Sequence, residues 1–122
     1  MLKKNKTKAI KNTFSLIQVK RMIGKKLLLL HKTISVTDEL KNKSKLLKEK
    51  LIESFKKNKT CCISAMCSNG ILQVIHGAEA LITIMSISYT DIKAHNISEC
   101  PIEIIQYPKL TKGELDQIFL KS

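Results

Sequence analysis

The sequence predicts a mainly α fold: a long N-terminal helix of the coiled-coil type, a small β-rich segment, and a short C-terminal helix. Three observations predict it. From Thr7 to Lys59 the chain holds one glycine, Gly24, and no proline. Apolar residues recur through that span at steps of three and four, the spacing of one helical face. Beyond Lys59 the chain becomes more apolar and isoleucine-rich, punctuated by Asn69-Gly70, Gly77 and Pro101, a pattern that favours strands and turns.

Element by element, residues 1–6 (MLKKNK) read as a basic tail, and Thr7 as the N-cap of the rod, which is assigned residues 7–68. Ile10, Phe14 and Ile17 open the apolar face. Leu16, Val19, Ile23, Leu27, Leu30 and Ile34 continue a similar stripe, and Leu40, Leu47, Leu51 and Phe55 resume it. The weakest part is ISVTD, whose residues have low helix propensity or compete for backbone bonds, and Asp38 there is able to cap a new helix. Between Thr33 and Lys41 there is no Gly, Pro or Asn, so one long helix is favoured over a hairpin broken at this point. Such a rod cannot bury its stripe alone and needs a partner helix. CCISAMCSNG finishes it, with Asn69-Gly70 as a stop or turn.

The β-rich segment is assigned residues 69–110. AEALITIMSISY alternates Ile with Thr and Ser and reads as a strand buried on much of both faces. TDIKAHN reads as a turn. ISECPIEIIQY gives a second strand, with Pro101 placing its start at an edge. A short helix is assigned residues 111–122, where Thr111 and Glu114 have capping-box spacing.

Charge is unevenly distributed. The 122-residue chain carries a net +12, with +14 in residues 1–60 and −2 in residues 61–122. A basic rod suits nucleic acid, anionic lipid or an acidic protein surface equally well, and a solvated lysine coat is the bland reading. No run of 18 apolar residues occurs, so no transmembrane helix is expected.

Candidate chemistry is sparse. Cys61, Cys62, Cys67 and Cys100 have no zinc spacing and read as reduced thiols. His31, His76 and His95 share no motif, and the four glycines are isolated, so no phosphate loop is formed. No catalytic residue, cofactor or metal is expected. Nucleic-acid binding has many lysines in its favour, but arginine is represented by Arg21 alone and base-stacking aromatics are few.

One family is suggested by Thr7-Lys8, by Gly24 at a fixed distance from that pair, and by Lys25-Lys26 and Leu27-Leu28, which complete a G-x-x-L-L pattern before the basic stretch KNKSKLLKEKLIESF. This arrangement resembles the first helix of the V-ATPase D family, the central-stalk component of the rotary V-type/A-type ATPases, with Lys8 standing where that family has Arg. ILQVIHGAEALITI and NISECPIEIIQY are similar to its β segment in order and hydrophobic pattern. The family's second long helix has no counterpart in the sequence.

The resemblance implies a non-catalytic rotor shaft in the central stalk, coupling ATP hydrolysis to proton transport. It implies partners in the catalytic ring, a small stalk subunit and a membrane adaptor, and a place at the cytoplasmic face of a membrane as a peripheral part of the complex. Ile10, Phe14, Ile17, Leu27, Leu28, Leu47 and Leu51 would form the packing seam. Lys8, Arg21, Lys25 and Lys26 would be the charges facing the ring's sleeve, and residues 71–107 would contact a partner. The alternative is a basic helical protein that binds nucleic acid or associates with ribosomes.

Overall fold

The computed structural model describes residues 9–108, 111, 113–115 and 117. The fold is mixed α/β rather than a helical rod. Its elements run β1 (Ile10–Ser15), α1 (Leu16–Gly24), β2 (Leu28–Leu30), α2 (Asp38–Lys56), β3 (Cys61–Ser68), β4 (Ile71–His76), α3 (Ala78–Ser86), α4 (Tyr89–Ala94) and β5 (Pro101–Tyr107). The five strands form one mixed sheet in the order β1-β5-β3-β4-β2. β1 is antiparallel to β5, β5 parallel to β3, β3 antiparallel to β4, and β4 parallel to β2.

The expectation of a long N-terminal helix is overturned at its first element. Ile10–Ser15 is a strand, paired with β5 from Ile10 opposite Gln106 to Ser15 opposite Pro101. Helix begins at the next residue, because Ser15 caps it. Its hydroxyl accepts the Gln18 N–H at 3.2 Å while the Gln18 side chain accepts the Ser15 N–H at 2.8 Å, a reciprocal capping box.

Three of the helices stop in the same way. Lys26, Asn58 and Asn96 take left-handed backbone at φ 60°, 59° and 55°. The following N–H groups reach back to the last turn: Leu27 to Met22 O, Lys59 to Ser54 O and Ile97 to Ile92 O. This is the Schellman arrangement, which uses up the helix's orphan carbonyls. The continuous helix favoured through ISVTD does not form: α2 starts afresh there with Thr37, not Asp38, as N-cap, its hydroxyl accepting the Leu40 N–H at 3.1 Å.

Asn69 and Gly70 both have positive φ, 54° and 78°, as a two-residue type I′ hairpin requires. They turn β3 into β4 with Ser68 opposite Ile71, so CCISAMCS is a strand and not the end of a helix. AEALITIMS, expected as a strand, is α3. Its buried Leu81 and Ile84 lie on one helical face toward the core, and its buried Thr83 faces α2. TDIKAHN, expected as a turn, supplies most of α4. Pro101 does begin a strand, but β5 lies inside the sheet between β1 and β3, not at its edge. The Thr111–Glu114 capping box is present, with N–H to side-chain oxygen distances of 2.9 and 3.2 Å.

All four helices bury apolar residues against one sheet face. Leu16 and Val19 of α1, Ile52 and Phe55 of α2, Leu81 and Ile84 of α3, and Ile92 of α4 meet Leu28, Ile63, Ala65, Leu72, Val74, Ile102 and Ile104. Much of the stripe expected to need a partner helix is therefore covered by the chain's own sheet. On the opposite face Met66 and Ile75 are buried, with Tyr107 and Leu115 packed against them.

Candidate functional site

The seven residues expected to form one seam are distributed over several elements. Phe14 on β1, Leu28 on β2 and Leu51 on α2 join the same core. Leu47 lines a small apolar hollow with Leu51, Ala80 and Thr83 between α2 and α3. Ile17 is half-buried at the start of α1. Ile10 and Leu27 are exposed, at 62% and 41%. Of the four expected charges, Lys8 lies outside the described residues. Arg21, Lys25 and Lys26 gather at the exposed end of α1, where Lys25 is the C-cap and Lys26 the left-handed residue after it.

Lysines dominate the outward surface of the helix layer. On α2, Lys43 pairs with Glu39 at 3.4 Å, Lys56 with Glu53 at 3.5 Å, and Lys48 with Asp91 of α4 at 3.7 Å. Lys41, Lys45 and Lys50 on the same helix, and Lys57 and Lys59 just beyond it, are exposed and stand outside the ion pairs found among the described residues. At helical spacing Lys43, Lys50 and Lys57 recur every seven residues. They therefore run along one side of the helix at intervals of about 10 Å.

A shallow cleft of about 490 Å³ opens between α2 and α4, lined by Lys48, Glu49, Ile52, Glu53, Asp91 and His95. Both signs of charge line it, and its best-defined polar contact is the Lys48–Asp91 pair. Among the described residues no group of three His, Cys, Asp or Glu side chains converges as a metal donor set. No buried side-chain nitrogen or oxygen there lacks a hydrogen-bond partner.

Two titratable groups sit in unusual settings. His31, 4% exposed, follows β2, and burial lowers its pKa from the usual 6.5, with the neighbouring Lys32 charge adding to the effect. Its Nδ1 accepts the Thr33 N–H at 3.2 Å and lies 2.7 Å from the Thr33 hydroxyl. That contact fixes Nδ1 as an acceptor, so the neutral ring carries its proton on Nε2. Lys20 turns inward from α1. Its ammonium donates to Met85 O at 3.2 Å and Ile84 O at 3.4 Å, and lies 5.3 Å from the centre of the Tyr89 ring. Partial burial lowers its pKa, while the carbonyls at the end of α3 and the ring's electron-rich face both favour a cation there.

Three of the four cysteines, Cys61, Cys67 and Cys100, belong to the core side of the sheet. Cys61 and Cys67 pack towards the core, Cys62 is exposed, and the buried Cys100 thiol donates to Phe55 O at 3.1 Å. Burial, with Cys62 beside it, pushes Cys61 up to about 11. Lys20 and Tyr89 were not singled out by sequence reasoning. Lys20 is one lysine among many, and the one available signal for Tyr89 was its place just after Ser88, a helix-capping residue.

Set against known protein families, curated proteins and solved structures, the chain matches none of them.

Proposed function

We propose that the chain is a small non-catalytic module that binds nucleic acid through the lysine-bearing outer surface of its helix layer. The observation that carries this reading is a set of exposed lysines outside the ion pairs found among the described residues: Lys41, Lys45, Lys50, Lys57 and Lys59 in and just after α2. The rotor-shaft expectation drew on an unbroken N-terminal helix. Residues 10–56 instead form β1, α1, β2 and α2, which leaves that reading without a shaft.

Lysine ammonium groups on flexible stems act as point charges, suited to phosphate oxygens and indifferent to base sequence. Lys41 and Lys45, one turn apart on the same flank of α2, can neutralise neighbouring phosphates together, with release of condensed counterions. Arg21 is the one arginine, so the bidentate guanine contacts typical of sequence-specific readers are scarce. The expected behaviour is sequence-tolerant binding that weakens steeply with salt.

The test is fluorescence anisotropy with a labelled RNA oligomer over a range of potassium chloride concentrations. A double substitution, Lys41→Gln with Lys45→Gln, is expected to reduce the log–log salt slope by about 1.4, at roughly 0.7 per lost phosphate contact on a single strand. Absence of saturable binding at low salt, or a slope unchanged by the double substitution, would overturn the proposal.

A further inference from the structure

Tyr89 stands outside the apolar core. It is 55% exposed at the first position of α4, and Met85 beside it is 50% exposed. The chain has two tyrosines and no tryptophan, and Phe55 is fully buried in the core. Tyr89 is thus the most exposed large aromatic among the described residues.

The ring is also held in place. Lys20 is anchored by the carbonyls of Ile84 and Met85, and its ammonium sits over the ring at 5.3 Å. Ser88 fixes the start of α4, its hydroxyl accepting the Asp91 N–H at 3.1 Å. An aromatic already fixed by its neighbours loses little freedom when a second flat group stacks on it. The charge around it is positive. Lys93 lies one turn along the same face of α4, opposite the face that carries Asp91 and His95.

We propose that Tyr89 is a stacking platform for an unpaired base, with Lys93 taking a flanking phosphate, so that the module prefers single-stranded over duplex nucleic acid. The inference rests on the nucleic-acid reading above and adds a form of recognition that lysines alone do not give. Every base has a stackable face, so the contact selects for unpaired strands without selecting sequence. A duplex keeps its bases stacked on each other and offers Tyr89 only its backbone.

The experiment compares three labelled probes of about 15 nucleotides: oligoadenylate RNA, an abasic oligomer with the same phosphates, and a duplex. Tyr89→Ala is expected to weaken oligoadenylate binding about 5- to 100-fold and to leave the abasic and duplex probes unchanged, with Tyr89→Phe restoring wild-type affinity. A second measurement leaves Tyr89 in place. In a Tyr107→Phe variant it is the sole tyrosine, and its emission is expected to be quenched by oligoadenylate but not by the abasic oligomer. Wild-type binding that is equal for oligoadenylate and abasic probes, or emission unaffected by saturating oligoadenylate, would overturn this inference and leave the lysine reading standing. Failure of the wild type to bind any of the three probes would overturn both.

Discussion

Ser44 and Thr83 lock α2 to α3 through a pair of buried hydroxyls. The Thr83 hydroxyl donates toward the Ser44 carbonyl at 3.2 Å and the Glu79 carbonyl at 2.6 Å. The Ser44 hydroxyl donates to Leu40 O at 2.9 Å and lies 3.4 Å from Glu79 O. Both side chains are small and almost fully buried, at 3% and 0% exposure, so the two helix backbones approach closely. Thr83→Val keeps the shape and removes the donor, with an expected loss of about 1 kcal/mol. Ser44→Leu forces the helices apart, with an expected loss of about 1–3 kcal/mol. Urea unfolding curves distinguish the two, and equal small losses would show that the crossing is loosely packed.

Adjacent leucines are expected to behave very differently. Leu28 is 1% exposed on β2, facing the core opposite Leu72, whereas Leu27 is 41% exposed in the preceding turn. Leu28→Asp places an unpaired carboxylate among apolar side chains, and the expected loss of several kcal/mol is a large share of the roughly 5–15 kcal/mol that holds a domain together. Leu27→Asp is expected to change stability by no more than about 0.5 kcal/mol. Thermal melts followed by far-UV circular dichroism would check this. A seam that used both leucines alike would give two large losses.

Lys26 has left-handed backbone, φ 60°, where a β-carbon is unfavourable. Lys26→Gly is expected to stabilise the protein by about 0.5–1 kcal/mol, since glycine is the usual residue at this position of the helix stop. The same change at Lys25, whose φ is −87°, is expected to give no gain. Denaturant midpoints of the two variants provide the comparison.

Acid is expected to destabilise the fold through His31. Its folded pKa lies below 6.5, so the unfolded chain takes up the proton first as pH falls. The contribution is fully present above pH 6.5 and is lost as pH drops from 6.5 through the lowered folded value. His31→Gln is expected to flatten the stability profile in that window. Unfolding free energies measured at a series of pH values would show it, and a profile unchanged by the substitution would assign the acid sensitivity elsewhere.

Thiol reactivity is expected to follow the sheet rather than the sequence. Cys62 is exposed, whereas Cys61, its neighbour, is half-buried with its pKa pushed up to about 11. Near-neutral alkylation with iodoacetamide should therefore modify Cys62 before Cys61, since the thiolate is the reactive form. Cys100 is expected to resist longer, being buried, raised in pKa and bonded to Phe55 O. Peptide mass spectrometry over a time course reads the order directly.

Local signals in the sequence were specific where one or two residues carry them. The Thr111–Glu114 spacing produced its capping box and Asn69-Gly70 its tight turn, whereas Pro101, read as marking an edge, opens a strand inside the sheet. ISVTD reads as the weakest helical stretch, but the lack of Gly, Pro or Asn there favoured a continuous helix, which the chain does not form. For the candidate interface, the lysine excess was legible from composition, but which lysines stand outside the ion pairs found among the described residues was not. Lys48 meets Asp91 only because the fold sets α4 across a cleft from α2. Lys20 meets Tyr89 only because α1 lies against the end of α3.

By itself the sequence determined the punctuation of the chain and the sign and placement of its charge. Only the tertiary structure decided which apolar segments became strands and which became helices. Ile10–Ser15 and Leu28–Leu30 are too short to state a period. Each became a strand because a neighbour offered unpaired backbone: β5 for the first, β4 for the second. Ala78–Ser86 is rich in β-branched residues and reads as a strand, yet it folds as a helix because Leu81 and Ile84 find the core and Thr83 finds α2. Propensities differ by fractions of a kcal/mol per residue. Burying one large apolar side chain contributes about 1.5–3 kcal/mol, so the packing partner settles what local preference leaves open.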